Sequence, residues 1–245
     1  MIEQTVEVPT KDGATTTFVV HPDRGGPHPV ILFFMDAPAI REELRDMARR
    51  LATAGYYVML PNLYYRAGVL ELVPPSGAMD EPLRARMMEL MYGLSIQMVM
   101  EDSDALLAYA DGQAAADAQR VGCLGYCMSG QFSINAAARH AGRVKAAASI
   151  YGTFLVTDKD DSPHLAARKA KGELYFACAE TDRWAPMETI NALSSSLKAD
   201  GIRAEVELYP GVEHGFAFPQ RAAYDKAAAE RHWLRLNTLF ARNLG

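Results

Sequence analysis

The sequence predicts an α/β fold of three layers, in which helices cover both faces of a mostly parallel sheet that carries an N-terminal antiparallel hairpin. The apolar runs 29–35 and 56–60 have the composition of buried strands, and the amphipathic segment 42–54 between them ends at a glycine, as helices commonly do. Strand, helix and strand in this order are typical of right-handed βαβ units. Two alternating polar and apolar runs, 4–8 and 15–21, flank the turn sequence Lys11-Asp12-Gly13 and predict the hairpin.

The rest of the chain continues the same alternation of strands and helices. We expect, in order, a helix at 81–100, strands at 120–126 and 144–151 with a helix at 131–139 between them, strands at 173–179 and 203–209 with a helix at 186–199 between them, and a final helix at 221–242. Residues 64–100 begin with an irregular stretch rich in proline, glycine and aromatic residues and continue into a methionine-rich helix. We therefore predict a single domain over residues 1–245, with 64–100 as a candidate cap segment.

Composition excludes several classes of protein. Of 245 residues, 49% are hydrophobic and 22% charged, and the net charge of −5 comes without a basic stripe, which argues against a nucleic-acid partner. The three cysteines have neither C-x-x-C spacing nor zinc-ligand order, so we expect no disulfide framework and no metal. The first residues lack the features of a signal peptide, and no apolar run is long enough to span a bilayer. These observations predict a cytoplasmic protein without a membrane partner.

A cysteine stands where an apolar strand turns into a helix of small residues. In Gly125-Tyr126-Cys127-Met128-Ser129-Gly130, Cys127 has the position of the nucleophile in the strained elbow of α/β-hydrolases, where serine is usual. The N-terminus of the following helix would favour the thiolate there. A buried structural thiol is the alternative interpretation, and Cys123 and Cys178 in apolar runs fit it better.

Two polar residues follow predicted strands in the order that such a nucleophile requires. Asp182 comes after strand 173–179 and His214 after strand 203–209, and the carboxyl ends of parallel strands gather at one edge of a sheet. The chain order of nucleophile, acid and base is that of α/β-hydrolases. The alternatives are a helix cap for Asp182 and an ordinary loop position for His214. Together the three residues predict a Cys-His-Asp triad, in which Asp182 orients His214 and His214 activates Cys127.

The sequence resembles the dienelactone hydrolases, or carboxymethylenebutenolidases, over nearly its whole length. Four motifs carry the resemblance: residues 125–130, Glu180-Thr181-Asp182-Arg183, Glu213-His214-Gly215-Phe216 and Pro61-Asn62-Leu63-Tyr64-Tyr65-Arg66. The resemblance implies a three-layer α/β-hydrolase fold and hydrolysis of a lactone or small carboxylic ester through a thioester. It also implies a small-molecule substrate and no cofactor.

Further site residues are implied by the resemblance alone. Asp36 corresponds to a glutamate that contacts the nucleophile in the family, and would help to control protonation of the resting thiol. The backbone N–H groups of Met128 and Ala37 correspond to the oxyanion hole. These three positions extend the predicted site beyond the triad.

The substrate-binding residues of the family are matched less closely in this sequence than the triad is. Arg84 matches a family arginine on the cap helix that holds an anionic substrate. Phe218 stands where a second arginine is expected, and Met88 stands where a cap-helix tyrosine is expected. These replacements predict a more apolar pocket that favours neutral acyl groups over strongly anionic lactones.

Two other functions are compatible with the same residues. A thioesterase or acyl-transfer enzyme would use the same triad on a different acyl donor. A redox sensor would use Cys127 to detect oxidants, although no resolving cysteine stands in C-x-x-C spacing beside it. Neither the natural substrate nor the oligomeric state is indicated by the sequence.

Overall fold

The fold class agrees with the prediction. A computed structural model describes residues 1–73 and 79–245, and it contains an eight-stranded, mostly parallel sheet with helices and an N-terminal antiparallel hairpin. The chain divides into two compact units, residues 1–121 and 122–245.

The first unit is built on the hairpin and one parallel strand pair. Strands β1 (Ile2–Thr10) and β2 (Gly13–His21) form the predicted antiparallel hairpin. Strand β2 also pairs antiparallel with β4 (Tyr57–Pro61), which pairs parallel with β3 (His28–Phe34). Every residue of β3 and β4 is buried, which explains why both are continuous apolar runs rather than alternating ones. Helix α1 (Glu42–Thr53) connects β3 to β4 and confirms the predicted βαβ unit.

The single helix predicted at 81–100 is wrong. The chain forms two helices, α2 (Glu81–Tyr92) and α3 (Ile96–Asp111). Helix α2 ends at Gly93, and the side chain of Ser95 accepts a hydrogen bond from the first turn of α3. A glycine stop followed by a serine cap ends one helix and begins the next.

The candidate cap segment 64–100 therefore contains a short 3₁₀ turn (Tyr65–Ala67), α2 and the start of α3. Its residues 74–78 lie outside the described residues. Its role as a cap stays a prediction, as does the assignment of residues 1–245 to one domain.

Strand β5 (Ala116–Tyr126) begins in the first unit and ends in the second. The elements that follow it are α4 (Gly130–Arg139), β6 (Val144–Ile150), α5 (Pro163–Ala166), β7 (Glu173–Thr181), α6 (Met187–Ala199), β8 (Ala204–Glu213) and α7 (Lys226–Leu244). Strands β6, β7 and β8 pair parallel, as predicted. Helix α7 begins five residues later than expected, because the side chain of Asp225 accepts a hydrogen bond from the N–H of Ala228 and caps the helix there.

The pairing of β7 with β8 places two loops side by side. Thr181, the last residue of β7, pairs with Glu213, the last residue of β8. Asp182 and His214 follow directly, so both leave the sheet at neighbouring positions. Within residues 1–73 and 79–245, no helix combines the length and apolar character needed to cross a membrane.

Candidate active site

Cys127 lies at a strained corner between β5 and α4. Strand β5 ends at Tyr126, and a single 3₁₀ turn (Cys127–Ser129) leads into α4. The φ angle of Cys127 is 54°, in the left-handed region that costs a residue with a side chain about 1–3 kcal/mol. Cys127 remains partly exposed. The backbone thus has the conformation expected of a nucleophile elbow.

Two glycines make the corner sterically feasible. A Cβ atom at Gly125 would lie 2.0 Å from the carbonyl oxygen of Ser129. A Cβ atom at Gly130 would lie 2.4 Å from Oγ of Ser149 and 2.5 Å from Cα of Gly152. Neither approach is compatible with a side chain, so the tight turn requires glycine at both positions.

The backbone around Cys127 is held by hydrogen bonds. Its carbonyl accepts from the N–H of Gly130 and, at 3.0 Å, from the N–H of Thr153 in the loop after β6. The N–H of Met128 lies in the first turn after the corner. The start of a helical segment carries partial positive charge, which here lies beside the thiol.

His214 and Asp182 form a hydrogen-bonded pair. Nδ1 of His214 donates to Oδ2 of Asp182 over 2.7 Å, and the side chains are 15% and 1% exposed, respectively. Oδ1 of Asp182 accepts from the N–H of Trp184 at 2.8 Å. The helix-cap interpretation of Asp182 is wrong, because α6 begins after Pro186 without a side-chain cap. Both carboxylate oxygens are instead occupied in orienting the loop and the imidazole.

The pKa of His214 reflects burial and two acidic partners. Burial by itself lowers this pKa, but the nearby Cys127 and the hydrogen bond to Asp182 outweigh burial and raise it to about 9. Nε2 is buried without a conventional hydrogen bond. Cys127 and Asp182 both act on the imidazole, so the three residues of the predicted triad lie close together.

The other two cysteines are in different surroundings. Cys123 and Cys178 are buried, and burial raises the pKa of both thiols. For Cys178 the pKa rises to about 12, with the charge of Asp182 adding to the effect of burial. Cys127 is the cysteine that combines exposure with a histidine neighbour.

In the first unit, Asp36 forms a buried ion pair that the sequence analysis missed. Nη1 of Arg41 lies 2.6 Å from Oδ1 of Asp36, and Nη2 lies 3.3 Å from Oδ2. Arg41 also pairs with Glu43. Burial lowers the pKa of Arg41, but the charge of Asp36 reverses this and raises it above its usual value. No spacing rule links Arg41 to Asp36, because the contact depends on the loop between β3 and α1.

Ala37, next to Asp36, is fixed through its carbonyl group. That carbonyl accepts a hydrogen bond from the hydroxyl of Tyr64 at 2.9 Å, and Tyr64 in turn donates its N–H to the side chain of Asn62. Tyr64 and Asn62 belong to the motif 61–66 that the sequence analysis singled out. The motif thus supports the segment that carries Asp36 and Ala37.

The predicted substrate-binding residues have contrasting positions. Arg84 on α2 is exposed, and its Nε donates to the carbonyl of Met79 over 3.2 Å. Met88, on the same helix, is half-buried. Phe218 is fully buried in the second unit, where its ring packs 5.2 Å from that of Tyr126. Phe218 is thus part of the core rather than of a surface.

Comparison with known proteins identifies the family. Residues 15–244 match the family model described as "Dienelactone hydrolase family". The chain belongs to this family. Its relatives include the "Putative carboxymethylenebutenolidase" of Methylorubrum extorquens, which is 30% identical over 244 residues, or 98% of this chain and 81% of that protein.

A second relative and a solved structure agree with this assignment. The "Probable 2-oxo-3-(5-oxofuran-2-ylidene)propanoate lactonase" of Bradyrhizobium sp is 23% identical over 232 residues, or 93% of this chain and 89% of that protein. The crystal structure of the "Putative Dienelactone Hydrolase from Klebsiella pneumoniae" matches with a TM-score of 0.86 and 26% identity, over 98% of each chain. As a dienelactone hydrolase family member, the protein is a carboxylic ester hydrolase acting on small-molecule esters or lactones.

The sequence analysis missed two further residues, Tyr151 beside His214 and Arg221 beside the following Gly215. The ring of Tyr151 lies 4.9 Å from the imidazole. Cδ of Arg221 would lie 3.1 Å from a Cβ atom at Gly215, and its guanidinium lies over the ring of Phe218. Tyr151 follows β6 directly, so the strand-end rule that selected Asp182 and His214 applied to it as well.

Proposed function

We propose that Cys127, His214 and Asp182 are the catalytic triad with which this protein cleaves a lactone or small carboxylic ester. The observation that carries the proposal is the position of His214, which is hydrogen-bonded to Asp182 at 2.7 Å and has its pKa raised by Cys127. A histidine held between an acid and a thiol is the arrangement of cysteine-dependent acyl-transfer enzymes.

The first half-reaction transfers the acyl group to the enzyme. The sulfur of Cys127 attacks the carbonyl carbon of the substrate, and the carbonyl electron pair moves to oxygen. The oxyanion is stabilised by the N–H of Met128; losing one such donor typically costs about 10²–10³-fold in rate. When the intermediate collapses, His214 gives its proton to the leaving alkoxide, and a thioester remains. Ala37, as the second donor, stays a prediction from the family resemblance.

The second half-reaction releases the acid. Neutral His214 removes a proton from water, the hydroxide attacks the thioester, and the sulfur of Cys127 leaves as the thiolate. Asp182 holds the imidazole so that Nδ1 carries a proton throughout and Nε2 faces the reaction. The net change is addition of one water molecule to the ester bond, and no cofactor takes part in the proposed sequence of steps.

The family and the positions expected to hold substrate-binding arginines support a class of substrate. The Bradyrhizobium relative carries the name of a lactonase, which supports a lactone ring as one acceptable substrate. Arg84 is exposed and bonded to a backbone carbonyl, and the position expected to carry a second arginine holds the buried ring of Phe218. We propose that neutral or weakly polar acyl groups are preferred, because a desolvated carboxylate needs paired donors.

The test is removal of the thiol. Cys127→Ala should lower kcat for a chromogenic ester by about 10³-fold or more, whereas the matched variant Cys123→Ala, on the strand that precedes Cys127, should keep its turnover. Rapid acid quenching of the wild-type enzyme followed by mass spectrometry should find the acyl group on the peptide with Cys127. Undiminished turnover by folded Cys127→Ala would reject the thioester mechanism.

A further inference from the structure

Tyr151 is a buried aromatic residue in direct contact with the imidazole of His214. It follows the last residue of β6 and is almost completely buried. Its ring centroid lies 4.9 Å from that of His214 at an interplanar angle of 59°. The same ring packs edge-on against Phe216 at 5.2 Å, so it touches both His214 and the loop that carries His214.

The backbone of Tyr151 is strained. Its φ angle is 37°, and that of Phe154 in the same loop is 56°. Positive φ at bulky residues persists only where the surroundings enforce it, and such residues concentrate at functional sites. The N–H of Tyr151 donates to the carbonyl of Ala177 on β7 over 2.7 Å. This hydrogen bond anchors the strained residue to the strand that leads to Asp182.

The strained loop also holds the nucleophile. Two residues after Tyr151, the N–H of Thr153 donates to the carbonyl of Cys127 over 3.0 Å. One short segment therefore contacts the backbone of Cys127, the strand before Asp182 and the ring of His214. Its conformation couples the placement of the three proposed triad members.

The hydrogen bond to Asp182 fixes only one atom of the imidazole. A ring held at Nδ1 alone can still tilt about that point, and Nε2 is not held by a conventional hydrogen bond. A neighbouring ring at 4.9 Å restricts this tilt by close packing. We propose that Tyr151 is a positioning residue, whose ring keeps the imidazole of His214 in the orientation in which Nε2 meets the thiol of Cys127. This inference rests on the proposed function.

Three variants distinguish the effect of the Tyr151 ring on turnover from the effects of its hydroxyl group and of its strained backbone. Tyr151→Phe keeps the ring, Tyr151→Gly removes it while relieving the positive φ, and Tyr151→Leu removes it while keeping most of the apolar volume. Phe240→Leu, which removes a fully buried ring on α7, is the matched control for the loss of a core aromatic. Thermal unfolding and circular dichroism establish which variants are folded.

We expect Tyr151→Gly and Tyr151→Leu to lower kcat by about 10-fold or more with KM changed less than about 3-fold, because a misplaced catalytic group slows chemistry without weakening ground-state binding. Tyr151→Phe should restore kcat to within about 3-fold of wild type, and Phe240→Leu should retain it. If Tyr151→Gly does not fold, kcat of Tyr151→Leu decides whether the ring is required. In the wild-type enzyme, nuclear Overhauser contacts between the two rings should be observed.

Several results would overturn the inference. These are near-normal kcat in a folded Gly or Leu variant, an equal loss in Tyr151→Phe, an equal loss in Phe240→Leu, or absence of the Overhauser contacts. Failure of the proposed function is distinguishable, because it would appear as retained turnover in Cys127→Ala. If that variant is inactive and the Tyr151 variants are fully active, the triad stands and only the positioning role is rejected.

Discussion

Among single residues, His214 matters most to the proposed chemistry, which needs this side chain to carry a proton at neutral pH. Burial lowers the pKa of His214, but the charge of Cys127 and the hydrogen bond to Asp182 outweigh burial and raise it. A raised pKa means that protonation of His214 stabilises the folded state. That contribution is complete below pH 6.5 and is lost as the pH rises through about 9. The same proton is available to the leaving alkoxide within this window.

We therefore predict that Cys127→Ala lowers the pKa of His214. The variant removes the interaction that raises the pKa most, while burial and Asp182 remain. Titration of the imidazole by NMR should give a pKa near 9 in the wild-type enzyme and a clearly lower value in the variant, and kcat/KM of the wild type should fall as the pH rises through about 9. Equal pKa values in both proteins would show that Cys127 does not interact with His214.

At the scale of elements, the corner between β5 and α4 depends on the absence of a side chain at Gly125. Helix α4 begins directly after the single 3₁₀ turn that carries Cys127, so its start passes close to the strand that precedes the turn. The carbonyl of Ser129 occupies the place where a Cβ atom of residue 125 would lie. The position of Cys127 is thus set by packing of backbone on backbone, which tolerates little displacement.

We predict that Gly125→Ala destabilises the protein by about 2 kcal/mol or more, because the added methyl group would lie 2.0 Å from the oxygen of Ser129 and must displace the turn. It should also lower kcat, since the turn carries Cys127. Gly142→Ala is the matched control, because nothing lies within 4 Å of the added atom, and it should change stability by less than about 0.5 kcal/mol. Chemical denaturation measures both. Equal stability of the two variants would contradict this account of the elbow.

At the scale of the whole molecule, the charge of the preferred substrate is the property that most needs measurement. Arg84 is exposed, and Phe218 stands where the family resemblance implies a second arginine. Arg221 carries a guanidinium beside Gly215, in the loop that follows His214. Arg221 already lies over the ring of Phe218. A carboxylate removed from water needs more than one such donor to offset its desolvation.

We accordingly expect a higher kcat/KM for a neutral small ester or lactone than for dienelactone. The comparison is made in wild type, Arg84→Ala and Arg221→Ala, and the neutral substrate should lose little in either variant. A preference for dienelactone that collapses in one of them would reject our expectation. It would also identify the arginine that recognises the anion.

Much of this architecture could be predicted because it depends on local patterns. Buried strands such as β3 are continuous apolar runs, and the Lys11-Asp12-Gly13 turn marks its hairpin directly. The glycines around Cys127 and the residues after β7 and β8 identified the candidate triad, since strand ends in a parallel sheet meet at one edge. The single helix predicted over 81–100 is wrong because the methionine-rich composition on which it rests continues on both sides of Gly93.

The fold class, the family motifs and the candidate nucleophile, acid and base could be predicted from the sequence, because they follow from periodicity, turn chemistry and strand order. The side chains that support them could be identified only from the folded chain. The ion pair of Asp36 with Arg41 and the packing of Tyr151 on His214 depend on loop conformation. The burial of Phe218 in the core also depends on loop conformation. Loop conformation results from contacts between residues distant in sequence, and no local pattern encodes those contacts.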